Sequence, residues 1–95
     1  MITYSWNKEK NLLLKKTRDI SFEKIVMHIE SGDLIDIIQH LNDKKYVNQK
    51  ILIIDVNNYV YTVPCVINNN EWFFKTIMPN RQFIKKYLGD KNETR

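Results

Sequence analysis

The side chains of this sequence that could do chemistry are mostly cations, gathered near its two ends. Lys10, Lys15, Lys16 and Arg18 fall together, and Lys75, Arg81, Lys85 and Lys86 fall together. Arg81 carries a planar fork that suits bidentate contact with a phosphate; the structural alternative is an exposed helix charge. Lys75 sits among Trp72, Phe73, Phe74 and Ile77. On a strand it either reaches a phosphate backbone or faces solvent. Arg18 can bind phosphate but cannot act as general acid or base, because it does not deprotonate. Lys10, Lys15 and Lys16 share one predicted helix, where they either steer an anion or solvate a face. His40 closes a predicted strand and could move a proton near neutral pH, or cap that strand at the surface. His28 lies beside an apolar helix face and reads as structural or exposed. Tyr87, Trp6 and Trp72 could stack on bases. Their spacing favours core contacts instead.

Other chemistries lack their residues. No His, Cys and Asp cluster has metal-ligand spacing, so neither metal nor cofactor is expected. Ser-His-Asp and phosphate-loop signatures are missing. The lone Cys65 excludes an internal disulfide and sits in an apolar run, as a small buried hydrophobe would.

The cations are unevenly spread. Residues 25–74 hold three lysines against six carboxylates, and the two ends hold twelve Lys and Arg against five Asp and Glu. A fold that brings its ends together would make one basic face that attracts phosphate; chance clustering on a solvated surface is the alternative.

The elements that must position these groups follow from periodicity. Ile2 to Trp6 alternates apolar and polar, as a short strand does. Asn7 caps a helix from Lys8 to Lys16, with Leu12, Leu13 and Leu14 as its buried side. Asp19 and Ile20 break it. Ser21 caps a second helix with Glu23 in its first turn, and Phe22, Ile25, Val26 and Ile29 form its apolar face. Gly32 fits the left-handed position past its end. Leu34 to His40 reads as a strand, and Leu41 to Val47 as a turn. Gln49 to Val56 and Tyr59 to Ile67 form a hairpin through Asn57-Asn58. Pro64 implies an edge or a bulge. Glu71 to Met78 is the last strand, which Pro79 ends. A last helix opens near Asn80, with Phe83, Ile84, Tyr87 and Leu88 on one side and Arg81, Lys85 and Lys86 on the other. Gly89 stops it, and residues 90–95 form a fraying tail.

The chain has 95 residues with 43% hydrophobic and 27% charged, which bounds it to one ordinary globular domain over 1–95. The first ten residues lack the apolar region of a secretory signal, and no apolar stretch reaches a membrane span. A reducing cytoplasm is therefore the expected compartment. Consecutive strands joined by short turns, with helices grouped before and after, predict an α+β fold: two N-terminal helices, a four-stranded antiparallel meander with a short N-terminal strand, and a C-terminal helix.

Two segments resemble a known family. Trp6, Asn7 and Lys10, followed by Ile20, Ser21, Phe22 and Glu23, resemble the opening of BrnT toxins, which reads Trp, Asp or Asn, two residues, Lys, and then an apolar-Ser-Phe-Glu run. Ile77-Met78-Pro79-Asn80-Arg81 resembles the family segment that closes the last strand and opens the last helix. Thr17, Arg18 and Asp19 depart from the Lys-His-Gly of many relatives, and Lys75 stands where family members often carry Arg on that strand.

The resemblance implies a RelE-like ribonuclease toxin of a type II toxin-antitoxin system. Such an enzyme cleaves RNA without metal, through attack of the 2′-hydroxyl on the adjacent phosphate. The protein must then align the reacting groups, stabilise phosphoryl charge and move protons. On that reading Arg81, Lys75 and His40 are the candidate catalytic residues, and Lys10, Arg18, Lys85 and Lys86 contact RNA. The implied partner is a BrnA-like antitoxin, through which alone operator DNA is engaged, with no membrane involved. The alternative is a non-catalytic module of the same fold that binds an antitoxin-like protein or nucleic acid.

Overall fold

A computed structural model describes residues 1–39 and 48–89. The order of elements is β1 (Thr3–Trp6), α1 (Lys8–Arg18), α2 (Phe22–Glu30), β2 (Leu34–Gln39), β3 (Gln49–Val56), β4 (Tyr59–Asn68), β5 (Glu71–Phe74), β6 (Met78–Pro79) and α3 (Arg81–Tyr87). The fold is α+β, with two N-terminal helices, a mixed six-stranded sheet and a C-terminal helix.

Local chemistry fixes the helix ends. The Asn7 side chain accepts from the Lys10 N–H at 2.9 Å, and Ser21 Oγ accepts from the Lys24 N–H at 3.1 Å. Asp19 ends α1 in the left-handed region at φ 55, a conformation a short polar side chain tolerates. Gly32 takes φ 90 just past α2, as its position predicts. The Asn57-Asn58 turn has φ 56 and 69, the double left-handed geometry that matches strand twist in a two-residue hairpin. Asp55 Oδ1 accepts the Asn58 N–H at 2.8 Å and stiffens it.

The sheet runs β1-β5-β4-β3-β2. Its β2-β3-β4-β5 portion is the expected antiparallel meander. β1 adds to the β5 edge in parallel, pairing Thr3 with Glu71 through Trp6 with Phe74.

The expected single strand Glu71 to Met78 is broken in two, and the cause lies on its neighbour. Cys65 pairs with Phe74 but Thr62 pairs with Met78, so the returning chain spans one residue more than β4 does. Pro64 lies in that interval. Its carbonyl accepts the Lys75 N–H at 2.8 Å, and it has no N–H to return. The ladder loses a bond there and the chain bulges, which places Pro64 in the centre of the sheet at a bulge rather than at an edge. Lys75 consequently lies just past β5 instead of within a strand.

The two faces of the sheet carry different helices. Leu52, Ile54, Val63, Cys65 and Phe74 meet Leu14, Phe22 and Ile25 of α1 and α2. Ile53 and Val60 meet Phe83, Ile84 and Leu88 on the other face, under α3. The uninterrupted run Ile51 to Ile54 is apolar because its alternate residues enter opposite cores.

The leucines of α1 differ from expectation. Leu14 is buried, whereas Leu12 and Leu13 are 65% and 51% exposed. Successive helix residues turn by about 100°, so three in a row cannot share one buried side. The inward position is taken by Asn11, three residues before Leu14. Its Oδ1 accepts the Phe22 N–H at 2.8 Å, and its Nδ2 donates to Glu23 Oε1 at 2.9 Å. One buried amide thereby joins α1 to the start of α2.

Candidate functional site

The distribution of cations follows from the placement of the helices. α1 and α3 lie on opposite faces of the sheet, so Lys10, Lys15 and Lys16 are separated from Lys85 and Lys86 rather than merged into one face. Two of the expected site residues do come together. Lys10 from α1 and Lys75 from the end of β5 line one open depression of about 460 Å³, with Asn7, Glu9, Leu13 and Phe73.

Each wall has a structural cause. The Asn7 cap fixes the first turn of α1 and so the direction of Lys10. Along β5 the side chains alternate, and Trp72 and Phe74 turn into the core while Phe73 remains 39% exposed. The Trp6 ring stacks on Phe22 at 5.6 Å and on Phe74 at 6.2 Å. That stack holds β1 against β5. Trp6 and Trp72 are therefore half-buried core residues, not free stacking platforms.

Arg18 acts as a tie. Its Nη1 donates to the Ile77 carbonyl at 2.8 Å, joining the end of α1 to the bulged segment two residues past Lys75. Sequence reasoning gave Arg18 to RNA, and nothing local to residue 18 signals its contact with residue 77.

Arg81 is exposed as the first residue of α3, and it does not line the depression that Lys10 and Lys75 share. Asn80 Oδ1 accepts the Phe83 N–H at 3.1 Å, so one of the free N–H groups at this helix start is already used. Lys86 lies over the rings of Phe83 and Tyr87 at 5.6 and 5.3 Å, a cation–π arrangement that holds it on the helix surface. Lys85 lies on the same helix.

Proton-transfer groups are sparse here. His40 lies outside the described residues. His28 is buried, with Nδ1 at 2.7 Å from Asp33 Oδ2 and Nε2 without a hydrogen-bond partner among the described residues. It lines neither this depression nor the neighbouring one on α1. The Tyr87 hydroxyl donates to Asp36 Oδ2 at 3.1 Å; partial burial and that carboxylate raise its pKa above the ordinary phenol range. Tyr87 also packs edge-on against Phe83 at 5.5 Å, the core contact its spacing predicts. Burial pushes the Cys65 thiol up to about 12, which makes it an inert core group. Among the described residues no three His, Cys, Asp or Glu side chains are grouped to hold a metal ion.

Two lysines that share a depression with an exposed aromatic residue can hold a phosphate while a base stacks. No helix of the described residues is long and apolar enough to cross a membrane. No family model, curated protein or solved structure matches the chain.

Proposed function

We propose that this chain is a BrnT-type, RelE-like ribonuclease toxin acting in the cytoplasm. RNA is its substrate, and a BrnA-like antitoxin is its neutralising partner and its only link to operator DNA. The observation that carries this reading is the meeting of Lys10 and Lys75, far apart in sequence, beside the exposed ring of Phe73. The resemblance of the Trp6 to Glu23 segment supports it independently.

In the proposed reaction the 2′-hydroxyl of the substrate attacks the adjacent phosphorus and the 5′-oxygen leaves. This gives a 2′,3′-cyclic phosphate and a 5′-hydroxyl end. Lys75 stabilises charge on the non-bridging oxygens, Lys10 holds a neighbouring phosphate, and Phe73 stacks on a base. Arg18 is a positioning residue, because it anchors the backbone that presents Lys75. Arg81, which lies outside this depression on α3, is proposed to hold a phosphate farther along the same RNA, and His40 is proposed as the proton-transfer group. Incubation of the purified chain with single-stranded RNA tests this. Products ending in 2′,3′-cyclic phosphate, lost in Lys75→Met, are expected; intact RNA at all concentrations overturns cleavage.

One observation favours the second reading, a non-catalytic binding module. No imidazole lines the depression among the described residues, so a group that titrates near neutral pH is missing from its walls. RNA binding without cleavage is the outcome that selects this reading.

A further inference from the structure

The outer face of α1 presents a surface that RNA contact does not explain. Leu12 and Leu13 are 65% and 51% exposed at the middle of an eleven-residue helix. A single exposed leucine needs no account, but these two adjoin the exposed Phe73 through shared walls. A second depression, of about 500 Å³, lies beside the first and is lined by Glu9, Leu12, Leu13, Lys15 and Lys16. Leu13 and Glu9 line both, and Leu13 is the apolar part of the ridge between them. Lys10, Lys16 and Lys75 surround the apolar residues together with Lys15, which already lies 3.7 Å from Glu23 Oε1, and Glu9 is the single carboxylate among the lining residues.

We propose that this ridge docks an acidic amphipathic helical segment of a partner protein. The α1 helix is about 16 Å long, which matches about three turns of a partner helix laid along it. Apolar side chains of that segment at helical spacing enter the depressions on either side of Leu13, and its carboxylates meet the surrounding lysines. Two observations favour a protein over other polyanions. Leucine has no π-face for a base to stack on, and paired concavities suit side-chain knobs rather than a lipid surface. The ridge does not depend on RNA cleavage.

The test uses the full chain and a fluorescent synthetic peptide of about 14 residues built from Leu and Glu at helical spacing, read by anisotropy. A scrambled peptide of the same composition, a short oligo-uridine RNA and phosphatidylglycerol vesicles are the comparisons. The helical peptide is expected to bind at least about tenfold more tightly than the scrambled one. Leu12→Ser with Leu13→Ser is expected to weaken it by at least about tenfold, with the circular dichroism spectrum unchanged. Lys16→Glu should weaken it and flatten its salt dependence. Equal binding of both peptides, no peptide binding, an unaffected double serine variant, or vesicles engaging the ridge in the peptide's place overturns the proposal. RNA and the peptide share the depression of Lys10 and Lys75 and are expected to compete, whereas a double serine variant that weakens RNA binding as strongly as peptide binding overturns the proposal. Loss of RNA binding alone removes the ribonuclease reading and leaves this one standing.

Discussion

Replacing Lys10 and Lys75 by methionine removes two charges while keeping most of each side chain's apolar stem. Both residues line one depression, so a single strand crossing it passes both. Each phosphate neutralised on single-stranded nucleic acid contributes about 0.7 to the slope of log affinity against log salt. The double variant should therefore lose about 1.4 from that slope, and each single variant about half of this. Between about 50 and 200 mM salt, the wild type should lose about sevenfold more affinity than the double variant. Lys24→Met is the control, because Lys24 lines a different hollow with Lys15, Asp19, Ile20 and Ser21. Fluorescence anisotropy of an oligo-uridine RNA across a salt series measures every slope. An unchanged slope in the double variant refutes the phosphate assignment. An equal loss in Lys24→Met shows that the charge acts diffusely and that the depression is not the site.

Three further outcomes follow from packing and ionisation. Asn11→Leu strands the Phe22 N–H in the core and should cost about 2 kcal/mol, or about 10 °C of melting temperature; a variant as stable as the wild type removes the amide clamp from the account. Tyr4, partly desolvated and hydrogen-bonded to Glu30 at 2.6 Å, has its pKa raised from 10.0 to about 12. Its neutral form is thus favoured by folding, so its contribution is full below pH 10 and is lost as pH rises toward 12. Urea midpoints at rising alkaline pH should fall less steeply in Tyr4→Phe, and parallel curves contradict this. Cys65 should resist iodoacetamide in the folded protein at pH near 8 and react in urea; rapid labelling of the native chain shows that the thiol is accessible.

What the sequence disclosed about the fold was its local chemistry. Asn7, Ser21 and Asn80 are legible as caps because the cap bond joins residues three apart. Asn57-Asn58 is legible because few residues tolerate its backbone. Pro64 announced a bulge, but the break appears on the neighbouring strand, at Lys75 to Ile77, where local reading sees one continuous strand. The three leucines of α1 read as a core because composition outweighed helical angle; Asn11, polar and three residues before Leu14, was the overlooked inward position. Parallel addition of β1 to β5 and the tie from Arg18 to Ile77 depend on contacts far apart in the chain.

The site divides in the same way. Lys10 and Lys75 were each visible as cations on named elements, but their meeting was not, since it follows from the pairing of β1, which leads into α1, with β5. Among the described residues the cations of the two ends meet at Lys10 and Lys75, while those of α3 lie on the other face, for a reason that Ile51 to Ile54 already contained. A strand apolar on both sides needs a helix on each, and that separates the cations of α1 from those of α3.

The most direct test of the central claim is growth of a bacterial host on tightly controlled induction of this chain, with intact mRNA measured alongside. Arrest with falling mRNA is predicted for the wild type, and relief in Lys75→Met and Arg81→Ala at equal soluble protein. Unimpaired growth with the wild-type protein soluble and abundant contradicts the ribonuclease account.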